Sequence, residues 1–260
     1  MERFKGYVLD LDGTIYRGPY LMPGAREVVA ELRKRGCKIV FLSNKAIQTR
    51  VDYAEKLTRL GIPATPEDVI NSSLVTVDYL RREQPDARLY IIGEPPLIKE
   101  ALNAGLRLAR QPEETDIVVV SFDRTFHYGK LRFAYNAIMK GARIIATNAD
   151  RTCPVEGGEE LPDAASIIAA LKALTDKEPE LILGKPSPRV LEMATSRMGL
   201  KPSECLMVGD RLETDIVMGK AAGMKTALVL TGVTRREQLE ASDVKPDYVL
   251  DSVAELIEGA

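Results

Sequence analysis

The sequence predicts an α/β protein with a doubly wound (Rossmann-like) parallel-sheet core and an inserted α/β cap domain. Three observations predict it. Short β-rich runs alternate with helical patterns from end to end, the alternation restarts in the middle of the chain, and several apolar runs end in polar residues. A chain of 260 residues can bury the cores of two such domains.

The first third of the chain reads as successive βα units. Strands are predicted at 7–12 and 38–42, and helices at 25–35, 50–60 and 74–82. Gly36 and Gly61 follow the first two helical patterns, as glycine commonly does at a helix C-terminus. Strands that alternate with helices in this way favour a parallel sheet.

The middle of the chain repeats this alternation and is predicted to be an insertion. Strands are expected at 88–92, 116–120 and 143–146, and helices at 97–103, 131–139 and 164–174. Charged, proline-containing connections flank this segment near 82–86 and 177–180, as exposed domain boundaries often do. We therefore predict a core domain of 1–83 and 180–260 and a cap domain of 84–179.

The last third is predicted to complete the first sheet. Strands are expected at 181–183, 205–208, 226–230 and 248–250, and the helices between them should end at Gly199 and Gly223. In this prediction the cap domain is inserted between two halves of one core domain.

Composition narrows the class of protein and of partner. The formal net charge is −2 with 45% hydrophobic and 28% charged residues, an ordinary soluble balance that favours neither nucleic acid nor a membrane surface as a partner. No apolar run is long enough to cross a bilayer and no signal-peptide core follows Met1, so we predict a cytoplasmic protein. The three cysteines lie far apart and suggest neither a disulfide framework nor a zinc site.

Polar residues follow the predicted strands and are the candidates for chemistry. Asp10 and Asp12 lie at positions i and i+2 of an extended segment and face the same side, and Gly13 lets the chain turn away. Other apolar runs lead into Ser43-Asn44, Gly184-Lys185-Pro186 and Gly209-Asp210, with Asp215 a few residues further on. Because ligands of open parallel sheets bind beyond the carboxyl ends of the strands, these groups are expected to converge.

This set of residue types fits transfer of a phosphoryl group to a carboxylate. Attack by Asp10 on a phosphate ester brings two anions together, so cations and hydrogen-bond donors are required. Asp10 and Asp210 could hold Mg²⁺, Lys185 would add positive charge, and Asp12 could act as general acid and then general base. Donors to the phosphoryl oxygens would be Ser43, Asn44 and the backbone N–H groups that follow Asp12, at Gly13.

Taken together, these motifs resemble those of the haloacid dehalogenase superfamily of phosphatases. The resemblance rests on four ordered segments: Asp10-Leu-Asp12-Gly-Thr14, Ser43-Asn44, Gly184-Lys185-Pro186 and Gly209-Asp210-Arg-Leu-Glu-Thr-Asp215. The position of the insertion is similar to that in the branch with a large α/β cap, which includes 4-nitrophenylphosphatases and the arabinose-operon type of sugar phosphatase.

The resemblance implies a role for each matched residue. It implies that Asp10 is nucleophile and Mg²⁺ ligand, that Asp12 is acid/base and offers its backbone carbonyl to the metal, and that Asp210 is the further ligand. Asp215 would support these ligands from behind, while Ser43 and Lys185 would hold the phosphate. The substrate would be a small phosphorylated metabolite, such as a sugar phosphate or a 4-nitrophenyl phosphate-like ester. A homodimer is a further expectation, since caps of this branch often mediate dimers.

Several of these residues also have a purely structural interpretation. Asp215 could simply begin a helix after Thr214, and Asp163 and Ser166 could begin the helix at 164–174 rather than set substrate specificity. His127 and Lys45 receive no role. At the level of the whole protein, a phosphomutase would use the same aspartate pair, and a receiver-like signalling module would combine a phosphorylated aspartate with Mg²⁺ and lysine. A non-catalytic binding protein is the weakest alternative.

Overall fold

The structure is a computed structural model, and residues 2–154 and 159–257 are described. The strands are β1 (Gly6–Asp10), β2 (Tyr16–Arg17), β3 (Tyr20–Leu21), β4 (Lys38–Ser43), β5 (Val69–Asn71), β6 (Arg88–Ile92), β7 (Arg107–Leu108), β8 (Ile117–Val120), β9 (Arg143–Ala146), β10 (Thr152–Pro154), β11 (Glu160–Pro162), β12 (Leu181–Ile182), β13 (Cys205–Gly209), β14 (Lys225–Val229) and β15 (Tyr248–Leu250). The helices are α1 (Ala25–Lys34), α2 (Arg50–Arg59), α3 (Ser72–Glu83), α4 (Pro95–Asn103), α5 (Tyr128–Met139), α6 (Ala164–Thr175), α7 (Pro188–Met198), α8 (Val217–Ala221) and α9 (Arg236–Ala241).

The larger sheet is doubly wound, as the sequence predicted. Its six strands lie in the order β15-β14-β13-β1-β4-β5, and β1 pairs in parallel with both β4 and β13. The chain therefore winds outward in one direction through β4 and β5, and in the other through β13, β14 and β15. The strand order reverses between β1 and β13, and such a switch point opens a crevice beyond the carboxyl ends of the strands.

Residue types explain why these segments form a buried parallel sheet. All five residues of β1 and all five of β13 are buried, as expected for central strands that are covered on both faces. In α1 the buried residues Ala25, Val28, Val29 and Leu32 recur at helical spacing and form one apolar face. This packing fixes the strand ends from which the candidate site is built.

The second sheet has five strands in the order β12-β9-β8-β6-β7, and α5 and α6 pack against its apolar side. Here one prediction was wrong. The strand at 181–183 was expected to complete the first sheet, but Leu181 and Ile182 pair in parallel with Ile145 and Ala146 of β9. A run of two apolar residues fits either sheet, and backbone pairing to β9 decides the choice.

The chain divides into two compact units. The first contains residues 1–43, 50–70 and 185–260, and the second contains 44–49 and 71–184. The predicted domains of 1–83 with 180–260 and of 84–179 stay a prediction. The compact units differ from them in placing residues 44–49, residues 71–83 with α3, and residues 180–184 in the second unit. None of the described helices combines the length and the apolar character that crossing a bilayer requires.

The sequence analysis did not predict helix α9 or several short strands. The hairpins β2-β3 and β10-β11 and the edge strands β5 and β7 have two or three residues each, too few to show an alternating pattern. All of the longer predicted elements are present in the structure within a few residues of their predicted bounds.

Candidate active site

Two aspartates lie at the switch point of the larger sheet. Asp10 is the last residue of β1, and Asp210 directly follows the neighbouring strand β13. Both side chains are buried, with 5% and 2% of their residue surfaces exposed. The sequence prediction that these two strand ends deliver carboxylates to one place agrees with this register.

A third aspartate and a lysine complete a buried cluster, which we call the core carboxylate cluster. Asp10, Asp210 and Asp215 each offer a carboxylate oxygen within 4.8 Å of the others. The Lys185 ammonium donates to Asp10 Oδ1 and lies 2.7 Å from Asp215 Oδ1. Asp215 is held from the other side, because its Oδ2 accepts the Arg211 N–H at 3.2 Å. The predicted convergence of Asp10, Lys185, Asp210 and Asp215 is therefore observed.

Gly209, the residue before Asp210, lies so close to the Asp215 carboxylate that only glycine fits there. A Cβ atom at Gly209 would lie 2.3 Å from Asp215 Cγ and 2.4 Å from its Oδ2, so any side chain at this position would displace the Asp215 carboxylate. Asp215 is therefore built into the end of β13 and does more than begin a helix. The turn Leu212–Ile216 that carries it is π-helical, a feature often found at functional sites.

The electrostatics of the cluster are unbalanced. Burial raises the pKa of Asp10 well above its ordinary value; the Lys185 charge opposes this, and Asp215 and Asp210 add to it. Burial also raises the pKa of Asp210 to about 6, with a further contribution from Asp215. For Lys185, burial lowers the pKa, but Asp10 and Asp215 outweigh burial and the net direction is upward. With every group ionised, the three carboxylates and one ammonium of the cluster carry a net charge of −2, and the Arg211 charge acts on Asp210 from outside the cluster.

This donor set fits a hard divalent cation. Carboxylate oxygens are the ligands that Mg²⁺ and Mn²⁺ prefer, and a divalent charge would balance the net negative charge of the cluster. Asp10, Asp210 and Asp215 are the residues that could hold it. A bound cation would also lower the pKa of each carboxyl, because it favours the ionised form.

Ser43 ends the strand on the other side of β1, as predicted. It is the last residue of β4, and its hydroxyl donates to the Tyr53 hydroxyl at 3.0 Å. Tyr53 lies on α2 with 1% of its surface exposed, so the Ser43 side chain has a rigid neighbour. The predicted contact between Ser43 and phosphate stays a prediction.

The chain turns away directly after Asp10, and Gly13 makes this turn possible. Gly13 has a φ of +90°, a conformation that side-chain-bearing residues rarely adopt. Its N–H donates to the Tyr16 carbonyl oxygen at 2.8 Å, so the structure uses this donor inside the turn. Asp12 is half-buried and forms an isolated backbone bridge with Tyr16. The predicted phosphate contact of Gly13 and the acid/base role of Asp12 stay predictions.

Three other predicted site residues lie in the second unit, in a hydrogen-bonded network. Asn44 Nδ2 donates to Asp150 Oδ2 at 2.8 Å, and Asn148 Nδ2 lies 3.2 Å from Asp163 Oδ1. Asp163 caps α6 by accepting the Ala164 N–H at 2.5 Å, and the Ser166 hydroxyl donates to the Asp163 carbonyl at 2.7 Å. The helix start expected at Asp163 is therefore observed. Roles in phosphate binding for Asn44 and in substrate specificity for Asp163 and Ser166 stay predictions.

His127 also has a local structural role. It is the N-cap of α5, and its Nδ1 accepts the Gly129 N–H at 3.0 Å. This contact gives the one histidine of the sequence a structural role at the start of α5.

The sequence prediction missed one backbone group of the site, the N–H of Val233. Val233 follows β14, and its N–H donates to Asp210 Oδ2 at 2.7 Å. The available signal was the polar turn Thr231-Gly232 after an apolar strand, the same feature that identified Asp10 and Ser43. A backbone donor leaves no mark in residue type, so only the position of this turn could have indicated it.

Comparisons with known proteins place the chain in one family. A family profile described as haloacid dehalogenase-like hydrolase matches residues 7–107, and a second, described as HAD-hydrolase-like, matches residues 182–256. Among curated relatives, the sugar-phosphatase AraL of Bacillus subtilis is 43% identical over 96% of this chain and 91% of its own length. The 5'-nucleotidase YutF of the same organism is 39% identical over 99% of both chains.

Solved structures agree with the sequence relatives. A 4-nitrophenylphosphatase from Thermotoga maritima superimposes with a TM-score of 0.91 at 36% identity and covers 97% of this chain and 96% of its own. A p-nitrophenyl phosphatase from Archaeoglobus fulgidus superimposes with a TM-score of 0.93 at 35% identity over the full length of both chains. Because these superpositions cover 97% and 100% of this chain, the similarity includes both compact units.

Proposed function

The chain belongs to the haloacid dehalogenase-like hydrolases and is a phosphatase, and from that premise we propose that it hydrolyses small phosphomonoesters with Mg²⁺ through a phosphorylated Asp10. The observation that carries the proposal is the core carboxylate cluster. It combines a buried carboxylate at Asp10, a buried ammonium and a net negative charge that one divalent cation would balance.

The reaction divides into two steps at Asp10. In the first, a carboxylate oxygen of Asp10 bonds to phosphorus, the ester P–O bond breaks, and Asp12 gives its proton to the leaving oxygen. In the second, Asp12 takes a proton from water, the water oxygen bonds to phosphorus, and the bond between phosphorus and Asp10 breaks. Inorganic phosphate leaves and both carboxyl groups return to their starting state.

The other residues of the cluster prepare Asp10 for attack. Mg²⁺, when held by Asp10 and Asp210, supplies positive charge that offsets the repulsion between the carboxylate and the phosphate anion. Lys185 orients the Asp10 carboxylate and favours its ionised form against the effect of burial, and Asp215 fixes the position of Lys185. We propose that Ser43 and Asn44 donate to the phosphoryl oxygens.

The proposed substrates follow from chemistry and from relatives. The mechanism requires only a phosphate monoester, and the relatives carry the names sugar-phosphatase, 5'-nucleotidase and 4-nitrophenylphosphatase. We propose sugar phosphates as the preferred class, with 4-nitrophenyl phosphate as a convenient probe.

Replacement of Asp10 tests the nucleophile. We expect Asp10→Asn to lower kcat for 4-nitrophenyl phosphate by at least roughly 10³-fold, since the bond-forming oxygen loses its charge. EDTA should abolish wild-type turnover, and Mg²⁺ should restore it. Asp247→Asn is the matched control, because Asp247 lies before β15, pairs with Lys225 and is outside the cluster. Turnover of Asp10→Asn at the wild-type rate, or turnover in EDTA, contradicts the proposal.

Replacement of Asp12 tests the order of the steps. A nitrophenolate leaving group needs little protonation, whereas hydrolysis of the phosphorylated enzyme needs a base. Asp12→Asn should therefore release a burst of about one nitrophenolate per enzyme and accumulate acid-stable phosphate on protein. The double variant with Asp10→Asn should show neither. Formation of a sugar-phosphate isomer instead of free phosphate would indicate a phosphomutase.

A further inference from the structure

The turn of residues 231–234, which follows β14, holds Asp210 at two points. The Val233 N–H donates to Asp210 Oδ2 at 2.7 Å, and the Thr234 N–H donates to the Asp210 carbonyl oxygen at 3.1 Å. The Thr234 hydroxyl in turn accepts the Leu212 N–H at 3.3 Å, on the other side of Asp210. Both the backbone and the carboxylate of Asp210 are thus fixed by a segment about twenty residues away in sequence.

Gly232 lies against the Asp210 carboxylate with no spare room. A Cβ atom at Gly232 would lie 1.9 Å from Asp210 Oδ2 and 2.4 Å from its Cγ. Such distances are far below van der Waals contact, so a side chain here requires the carboxylate to move. Gly232 is needed for close approach.

The same turn also reaches the loop after Asp12. The Thr231 hydroxyl donates to the Gly13 carbonyl oxygen at 2.6 Å. A Cβ atom at Gly13 would lie 2.6 Å from Asp210 Oδ2 and 3.0 Å from Gly232 Cα. Three segments of the chain, at Gly13, Asp210 and Gly232, are therefore packed tightly against one another.

We infer that the 231–234 turn is a positioning element for the divalent cation: it fixes which oxygen of Asp210 faces the cation and how the 12–13 loop lies beside it. This rests on the proposed function, in which Asp210 is a ligand. The Val233 N–H uses one acceptor site of Oδ2, and none of the hydrogen bonds among residues 2–154 and 159–257 reaches Oδ1, so Oδ1 is the more open oxygen for a cation. Partners that orient ligands in this way control metal affinity strongly.

Cation affinity of the enzyme without substrate tests the inference. The probe is Mn²⁺, whose free concentration is measured by electron paramagnetic resonance during titration of the EDTA-treated, dialysed enzyme. We expect Gly232→Ala to weaken Mn²⁺ binding by roughly 100-fold, because the carboxylate must move, and Thr231→Val by roughly 10-fold. Thr231→Ser keeps the hydroxyl and should restore wild-type affinity.

Gly219→Ala is the matched control for packing. Gly219 lies on α8 in the same compact unit, and a Cβ atom there would lie 2.5 Å from Thr226 Cγ2 and 3.0 Å from Met207 Cβ. This variant should lower the melting temperature and leave the Mn²⁺ dissociation constant unchanged. If Gly232→Ala does not fold, the Thr231 pair decides the inference.

Two different failures can be told apart. If wild type binds Mn²⁺ in a manner that Asp210→Asn abolishes, but Gly232→Ala and Thr231→Val bind equally well, the positioning role of the turn is wrong and the proposed function stands. If Asp210→Asn binds Mn²⁺ as tightly as wild type, the cation site of the proposed function is wrong, and the inference falls with it.

Discussion

Both compact units contain buried aspartates, but different groups compensate them. In the core carboxylate cluster, Asp10, Asp210 and Asp215 share one ammonium, so the ionised cluster carries a net negative charge. In the second unit, Asn148 is a neutral donor to the buried Asp163 and to the half-buried Asp150, and Asp163 also accepts a helix N-terminal N–H. Burial raises the pKa of Asp163, and the nearby Lys45 charge opposes that rise. Neutral donors and the Lys45 charge surround the two carboxylates of the second unit, whereas the core carboxylate cluster places one ammonium among three buried carboxylates. The number of compensating groups per carboxylate, rather than burial alone, therefore distinguishes the candidate catalytic centre from this network.

The largest expected effect comes from removing the one cationic side chain of the cluster. Lys185→Met should lower the free energy of unfolding in EDTA by about 3–5 kcal/mol, because two buried carboxylates lose their charged partner. Chemical denaturation followed by circular dichroism measures this loss.

Lys130→Met is the comparison in the second unit. Lys130 pairs with the buried Asp123, which also accepts the Thr125 N–H at 2.9 Å and the Thr125 hydroxyl at 2.7 Å. With these neutral donors left in place, we expect a loss of only about 1–2 kcal/mol. Equal losses for Lys185→Met and Lys130→Met would remove the distinction between the two units.

The sequence predicted the cluster because two of its members, Asp10 and Asp210, lie at strand ends of the larger sheet. Asp10 and Asp210 follow apolar runs that are typical of central parallel strands, and the topology then brings their carboxyl ends together. The same reasoning failed for Leu181 and Ile182, since two residues carry no pattern that distinguishes one sheet from another. It also missed Val233, because a backbone N–H has no residue type by which to recognise it.

A second prediction concerns the pH dependence of Asp163. Burial raises its pKa from 3.8 to about 6 in the folded protein. Between these values the folded state binds more protons than the unfolded state, so the stability contributed by Asp163 falls as pH rises through about 6. Between pH 4 and pH 7.5 the unfolding free energy of wild type should therefore fall relative to that of Asp163→Asn, by at most about 3 kcal/mol.

Asp247→Asn gives the opposite sign and serves as the control. Burial raises the pKa of Asp247, but hydrogen bonds from Lys225 and Thr226 outweigh burial and lower it. Wild type should therefore gain stability over Asp247→Asn as pH rises above the folded pKa of Asp247. A pH-independent difference for Asp163→Asn would show that its carboxyl is not buried as described.

The smallest expected effect separates a structural from a specificity role for Ser166. Its hydroxyl donates to the Asp163 carbonyl at the start of α6, and the Thr175 hydroxyl donates to the Leu171 carbonyl at 2.8 Å at the other end. If the hydrogen bond is the whole role, Ser166→Ala and Thr175→Val should each cost about 0.5–1 kcal/mol of unfolding free energy. Both should keep kcat/KM for sugar phosphates and 4-nitrophenyl phosphate within about 2-fold of wild type, since about 0.4 kcal/mol corresponds to that factor. Ser166→Ala could instead raise KM for one sugar phosphate by more than this factor, while Thr175→Val does not. That result would assign Ser166 to substrate recognition, and the network of the second unit would then take part in substrate binding.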